Sequence, residues 1–338
     1  MQTPITLLLA TVLLTGCAKP QEVRTFADVA QGTLYHISYW TQHEIDETAL
    51  RRAVSEELED IDRGMSDYRD DSRIERFNAA EDTRAHDVGR DIIALVEQAR
   101  IVNRASGGCY DLTVRPLFDL WGFMDDQFSR PEPERLRKAL AVVGMDKLEV
   151  VSDHQLKKAI ADVKVDLSSI AQGYSVARVA QVLEQRGVQD YIVEIGGELQ
   201  TRGHKPGDHP WRIAIEKPLP GGSRVEKVIT IARTSPLAIM TSGTYRHFFD
   251  ENGVRYSHII DARTGYPVSH ATVSVTVVYP DATAADAWST ALLCLGREAS
   301  MKVADDYGIP ALFIEETGDG LRETFSPALR SLPGITVE

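Results

Sequence analysis

Ala284-Ala-Asp-Ala-Trp-Ser-Thr-Ala-Leu-Leu-Cys-Leu295 reads as one apolar helix. Trp288, Leu292 and Leu295 recur three and four residues apart and form a stripe that needs a core to cover it. Asp286 and Thr290 sit one turn apart on the face turned away from that stripe. An acid inside so apolar a segment needs a partner, either a backbone amide, an Arg or a cation. A carboxylate and a hydroxyl at this spacing can converge on one hard cation, and oxygen ligands suit Mg²⁺.

Just before it, Ala271 to Tyr279 reads as a strand that feeds this helix. Phe248 to Ile260 reads as a β-hairpin with Asn252-Gly253 at its tip and Val254, Tyr256, His258 and Ile260 on one face of the return strand. Further upstream, Thr33 to Trp40, Tyr191 to Ile195 and Trp211 to Glu216 have strand character. Glu44 to Arg63 and Asp91 to Ala105 have helical spacing, the second stopping at Gly107-Gly108. Asp166 to Arg186 reads as strand end, turn and helix. Lys217 to Lys227, rich in Pro and Gly, reads as a loop. Strands and helices mix without a regular βαβ repeat, so the expected fold is α+β, with mixed sheets and packed helices, and not a doubly wound sheet.

The chain has 338 residues, 43% of them hydrophobic, enough for a large core, and a net charge of −13 that repels nucleic acid. Ile5 to Leu14 is a short apolar run ending in Leu14-Thr15-Gly16-Cys17, too short to span a bilayer but shaped like a secretory signal. It resembles a bacterial lipoprotein signal. On that reading residues 1–16 are removed, Cys17 carries the lipid, 17–30 is an anchor or linker, and 31–338 is the folded domain. Only Cys109 and Cys294 then remain. They lie in different elements, the sequence alone does not pair them, and both read as buried.

Several blocks occur in one order. They are Met65-Ser-Asp-Tyr-Arg-Asp-Asp-Ser-Arg-Ile-Glu-Arg-Phe-Asn78, Tyr110-Asp-Leu-Thr-Val-Arg-Pro-Leu-Phe-Asp-Leu-Trp-Gly-Phe123 and Asp166-Leu-Ser-Ser-Ile-Ala-Gln-Gly-Tyr174, then Glu194-Ile-Gly-Gly-Glu198, Thr241-Ser-Gly-Thr-Tyr245, Tyr256-Ser-His-Ile-Ile-Asp-Ala-Arg-Thr-Gly265 and Ala285-Asp-Ala-Trp-Ser-Thr290. Together they resemble the ApbE family, the FAD:protein FMN transferases, from about Gly32 to the end of the chain. The resemblance implies a Mg²⁺-dependent enzyme that splits the pyrophosphate of FAD, links FMN by a phosphoester to a Thr or Ser hydroxyl of a target protein, and releases AMP. It implies exported acceptor domains of respiratory complexes, of the sodium-pumping quinone oxidoreductase (Nqr) and Rnf type. A lipid anchor facing the periplasm suits such clients.

By position, the resemblance puts metal ligands on Ser169, Asp286 and Thr290. It puts FAD contacts on Gln31, Asp67, Tyr68, Arg69, Asp111, Asp166, Gln172, His258 and Ile260. Arg69 is expected to meet a phosphate and Tyr68 to stack on or gate the flavin, and a Tyr at this position favours transfer over hydrolysis. Asp111 either contacts the flavin or caps the turn after Gly108. Asp166 either lies beside ligand or caps the following helix, whose start offers free amides to a phosphate. His258 is the expected general base, because imidazole suits proton abstraction from a hydroxyl near neutral pH. Asp261 either orients that ring or caps the turn to Gly265. Gln31, Thr244 and Gln172 depart from residues common in the family. The competing readings are a periplasmic FAD pyrophosphatase giving FMN and AMP, and a lipid-anchored flavin-binding protein without chemistry.

Overall fold

The computed structural model describes residues 22–218 and 225–338. The signal segment and Cys17 lie outside the described residues, and among those described no helix is long and apolar enough to cross a membrane.

The centre is an eight-stranded sheet in the order Arg24–Ala30, Thr33–Trp40, Asp190–Ile195, Glu198–Arg202, Leu237–Gly243, Thr272–Tyr279, Ala311–Thr317 and Gly320–Phe325. Every neighbouring pair is antiparallel, so the α+β expectation holds. Its middle strands are buried on both faces, as their apolar runs require, because successive side chains point to opposite sides. Ala238, Met240, Val275, Val277 and Phe313 face a helical layer formed by Glu47–Met65, Arg90–Ala105, Ala171–Gln185 and Ala282–Asp306. Leu237, Ile239, Val278, Leu312 and Ile314 face the other way, against a three-stranded sheet of Trp211–Glu216, Val225–Ile231 and Ile335–Val337. A third cluster gathers Leu117, Trp121, Phe123 and Leu136 beneath the hairpin rings Phe249 and Tyr256. Trp121 Nε1 anchors it by donating to the Gly265 carbonyl at 2.8 Å.

The opening helix runs from Ala282 to Asp306, and Asp281 caps it by accepting from the Ala284 amide at 2.8 Å. It is broken at Gly296, whose φ of 73° takes it out of the helix where the His270 ring packs against it. Near its start it crosses helix Ala171–Gln185 at Gly173. A methyl group there would lie 2.4 Å from the Ala282 carbonyl oxygen and 2.6 Å from Asp286 Cβ, so only glycine permits this approach.

The structure departs from several expectations. Arg24–Ala30, assigned to the linker, is a strand paired along its length with Thr33–Trp40. A helix, Arg73–Ala79, lies in a block to which the sequence reading assigns no element, started by Ser72 accepting from the Glu75 amide. Residues 166–170 hold no strand, with a turn at 168–170, and within the segment Lys217 to Lys227, read as a loop, a strand begins at Val225. Hairpin pairing stops at Ser257, because the His258 amide donates to the His247 carbonyl and closes it, while Ile260–Asp261 pairs with Tyr266–Pro267. Val254, Tyr256, His258 and Ile260 therefore do not share one strand face.

Cys109 and Cys294, left unpaired by the sequence reading, form a disulfide across 185 residues. Closing so long a loop restricts the unfolded chain strongly. Reduction, or Cys294→Ser, is expected to lower unfolding free energy by about 2–4 kcal/mol. Denaturant melts with and without reductant measure it, and coincident curves would contradict a stabilising role.

Candidate active site

A cleft of about 310 Å³ opens where the helical layer meets the end of strand Leu237–Gly243. The long helix supplies Asp286 and Thr290, the turn before helix Ala171–Gln185 supplies Asp166 and Ser169, and the broken hairpin supplies His258 and Ile260. Asp67, Tyr68, Asp111 and Gln172 also line it. The three positions expected to hold metal thus come together from segments far apart in sequence.

Asp286 is only 5% exposed. One of its oxygens accepts from the Gly173 amide at 2.7 Å, so a free amide at the helix start is given to this carboxylate and not kept for a phosphate. Burial nevertheless pushes Asp286 up to about 7, against the lowering effect of that hydrogen bond. Glu198 lines the same cleft and is raised by burial and then by Asp286, while it accepts from the Thr241 amide at 2.9 Å. A buried carboxylate beside a half-buried one whose charge it disfavours is a fitting seat for a cation. Thr290 is held by Ser242, whose hydroxyl lies 3.0 Å from Thr290 Oγ1 and 2.7 Å from Ser289 Oγ. Ser169 donates to the buried Tyr110 hydroxyl at 3.2 Å. The donor set is all oxygen and suits Mg²⁺.

His258 is half-buried, and burial lowers it to about 4 despite the hydrogen bond from its ring to the His247 carbonyl. Nδ1 lies 2.9 Å from that carbonyl, which can only accept, so Nδ1 carries the proton and Nε2 keeps a lone pair. A neutral imidazole with a fixed tautomer is the form a general base needs. Asp261 does not orient the ring. It accepts from the Arg263 amide and guanidinium, and its carbonyl closes the turn at Gly265.

Asp67 is raised well above the usual carboxylate range by burial and then by Asp166. Its Oδ1 is buried without a hydrogen-bond partner, although Arg115 lies 3.6 Å away, so a polar atom on the cleft wall is left for a ligand. Asp166 accepts from the Ser168 amide and hydroxyl, holding the turn that presents Ser169. Helix capping is not its role, since the cap position is Ile170. Tyr68, 85% exposed, stands at the mouth. Gln172 donates to the Ile195 carbonyl at 2.8 Å and braces the Gly196-Gly197 turn.

Three expected ligand contacts fare differently. Asp111 lines the cleft, but its oxygens accept from Thr113, Met145 and Asn103, which gives it the capping role. Arg69 is paired with Asp62 and Asp71 and lies outside the cleft lining, because acids close in sequence claim its guanidinium first. Gln31 sits at positive φ in the tight turn Gln31-Gly32, also outside the lining. Sequence reasoning missed Glu198, Ser242, Tyr110 and Arg246 as cleft residues. Glu198 ends the Gly-Gly turn, and Ser242 stands near a strand end, both quoted in motifs but given no role there.

The ApbE family model matches residues 31–313. The chain belongs to the ApbE family. It is 39% identical over 324 residues to an FAD:protein FMN transferase of Vibrio cholerae, covering 94% of this chain and 95% of that protein. The corresponding enzyme of Haemophilus influenzae is 37% identical over 332 residues, with 94% of each covered. Among solved structures, the flavin transferase ApbE from Vibrio cholerae superposes with a TM-score of 0.83 at 38% identity, covering 92% of this chain and 99% of that one. The apo Pseudomonas stutzeri flavinyl transferase ApbE gives 0.84 at 36% identity, covering 93% and 98%. The ApbE relationship agrees with a cleft built from the matched blocks.

The buried Asp286 makes a signed prediction. Its folded value lies above the unfolded one, so the metal-free protein loses stability as pH rises from about 4 to 7, with the full penalty above that. Asp286→Asn is expected to stabilise metal-free protein at pH 8 by roughly 2–4 kcal/mol, the gain vanishing below about pH 4. Chemical denaturation in EDTA at both pH values tests it, and a pH-independent difference would count against the assignment.

Proposed function

We propose that the chain transfers FMN from FAD to a Thr or Ser hydroxyl of an acceptor protein with Mg²⁺ and releases AMP. The carrying observation is the convergence of Ser169, Asp286 and Thr290 in one cleft with a neutral, tautomer-fixed His258. FAD is the substrate. In the balanced step the acceptor oxygen bonds to the FMN phosphorus, the bond from that phosphorus to the bridging oxygen breaks, and AMP leaves with that oxygen.

Ser169, Asp286 and Thr290 would hold Mg²⁺, which when bound would neutralise diphosphate charge and favour in-line displacement. His258 Nε2 takes the proton of the acceptor hydroxyl as it attacks. The His247 carbonyl keeps the ring in the tautomer that allows this. Arg246 lines the cleft and offers charge to the phosphates. Glycines 196 and 197, both at positive φ, let the backbone come close beside it. Tyr68 at the mouth covers the flavin and limits entry of water, which favours transfer over hydrolysis to free FMN.

The acceptors are exported flavin-carrying domains of the Nqr or Rnf type, and the protein acts on the periplasmic side, held by a lipid on Cys17. The Cys109–Cys294 disulfide supports an oxidising compartment independently of the N-terminal signal.

Incubation of the protein with FAD, Mg²⁺ and a purified Nqr-type acceptor domain is expected to add the mass of FMN to the acceptor and release AMP. Free FMN with an unmodified acceptor would indicate a pyrophosphatase, and unchanged FAD a binding protein. His258→Ala should bind FAD as the parent does yet transfer about 10²–10⁴-fold more slowly. Asp286→Ala should lose Mg²⁺ affinity, read by titration calorimetry. Parent-like metal binding in Asp286→Ala contradicts the ligand assignment.

A further inference from the structure

The three-stranded sheet ends in Trp211–Glu216, and among the described residues no strand pairs with its outer edge. A second groove, of about 460 Å³, runs there and is lined by four consecutive residues, Ile213 to Glu216. Consecutive side chains in a strand point to opposite faces, so one groove can touch all four only along the strand's edge. Tyr35, Ile37 and Tyr39 pack into the helical layer, so Leu34 and His36 on the same strand point to this side. They line the groove with Glu194, to which the His36 ring is bonded at 2.7 Å.

Leu34 is 55% exposed, and Val29, its direct cross-strand partner, is 65% exposed. The pair is an apolar shelf beside an open edge. Gly196, Thr241 and Arg246 line both this groove and the active cleft, so the two are continuous. Arg212 and Glu216 stand exposed near the ends of the edge strand, a pattern that discourages indiscriminate edge pairing while leaving the main-chain groups available to a chosen partner.

We propose that the acceptor protein docks as an extended segment along Trp211–Glu216, adding a strand to the small sheet. An apolar side chain of the segment rests on Leu34 and Val29, and its Thr or Ser passes Arg246 into the cleft. Such pairing gives affinity through main-chain hydrogen bonds and selectivity through alternate side chains. The idea rests on the flavin-transfer reading, because only that reaction requires a protein hydroxyl to reach the phosphorus.

The test uses the full chain with FAD, Mg²⁺ and the same Nqr-type acceptor domain. Leu34→Glu changes an exposed side chain, and Ala214→Pro removes an amide from the edge strand. Both are expected to raise the acceptor KM by about tenfold or more, with FAD affinity as in the parent. A parent-like acceptor KM in Leu34→Glu overturns the proposal. A photo-crosslinking residue placed at position 34 is expected to capture the acceptor segment that carries the modified Thr. Capture of a second copy of the chain, or no adduct with the acceptor, overturns it as well. A parent chain that transfers no FMN removes the transfer reading instead, and the crosslink alone then decides whether the groove holds the segment.

Discussion

The contact between the Asp286 carboxylate and the Gly173 amide holds the site in place. It joins the starts of two helices that come from distant parts of the chain, and it exists only because position 173 carries no side chain to separate them. The acid is stripped of water to make this contact, which would be unfavourable if it ended there. It does not end there, since the same carboxylate faces a cleft built from oxygen donors. The packing of the helical layer and the electrostatics of the cleft are therefore set by one residue.

Around that contact, each chemically useful group is fixed by something that has no other use for its second face. Thr290 is steadied by Ser242 from the sheet, Ser169 by the Tyr110 hydroxyl, and His258 by a backbone carbonyl. None of these supports borrows a group expected to meet substrate. The result is a set of donors whose positions do not depend on ligand to organise them.

Periodicity made the apolar helix, the α+β character and some of the strands legible, since Thr33–Trp40 and Trp211–Glu216 fall where their alternation puts them. The convergence of Ser169, Asp286 and Thr290 was legible because ordered motifs pointed to all three and helical spacing to the last two. The place of Arg69 was not, because its guanidinium is claimed by pairing with Asp62 and Asp71 that no motif records. Asp111 could be read two ways, and its choice depends on Met145, a residue remote in sequence. His258 looked like one member of a regular strand, whereas a backbone hydrogen bond to His247 ends the hairpin there and turns the ring into the cleft. The disulfide was invisible for the same reason, as pairing needs proximity in space.

Cys109 adjoins Tyr110, and Cys294 lies one helical turn beyond Thr290, so a single covalent bond ties together the two sides of the cleft that carry Ser169's support and the Asp286–Thr290 pair. After any thermal breathing the walls return to one spacing. The width of the opening is then a fixed dimension of the resting molecule, and arriving substrate spends none of its binding energy in setting it.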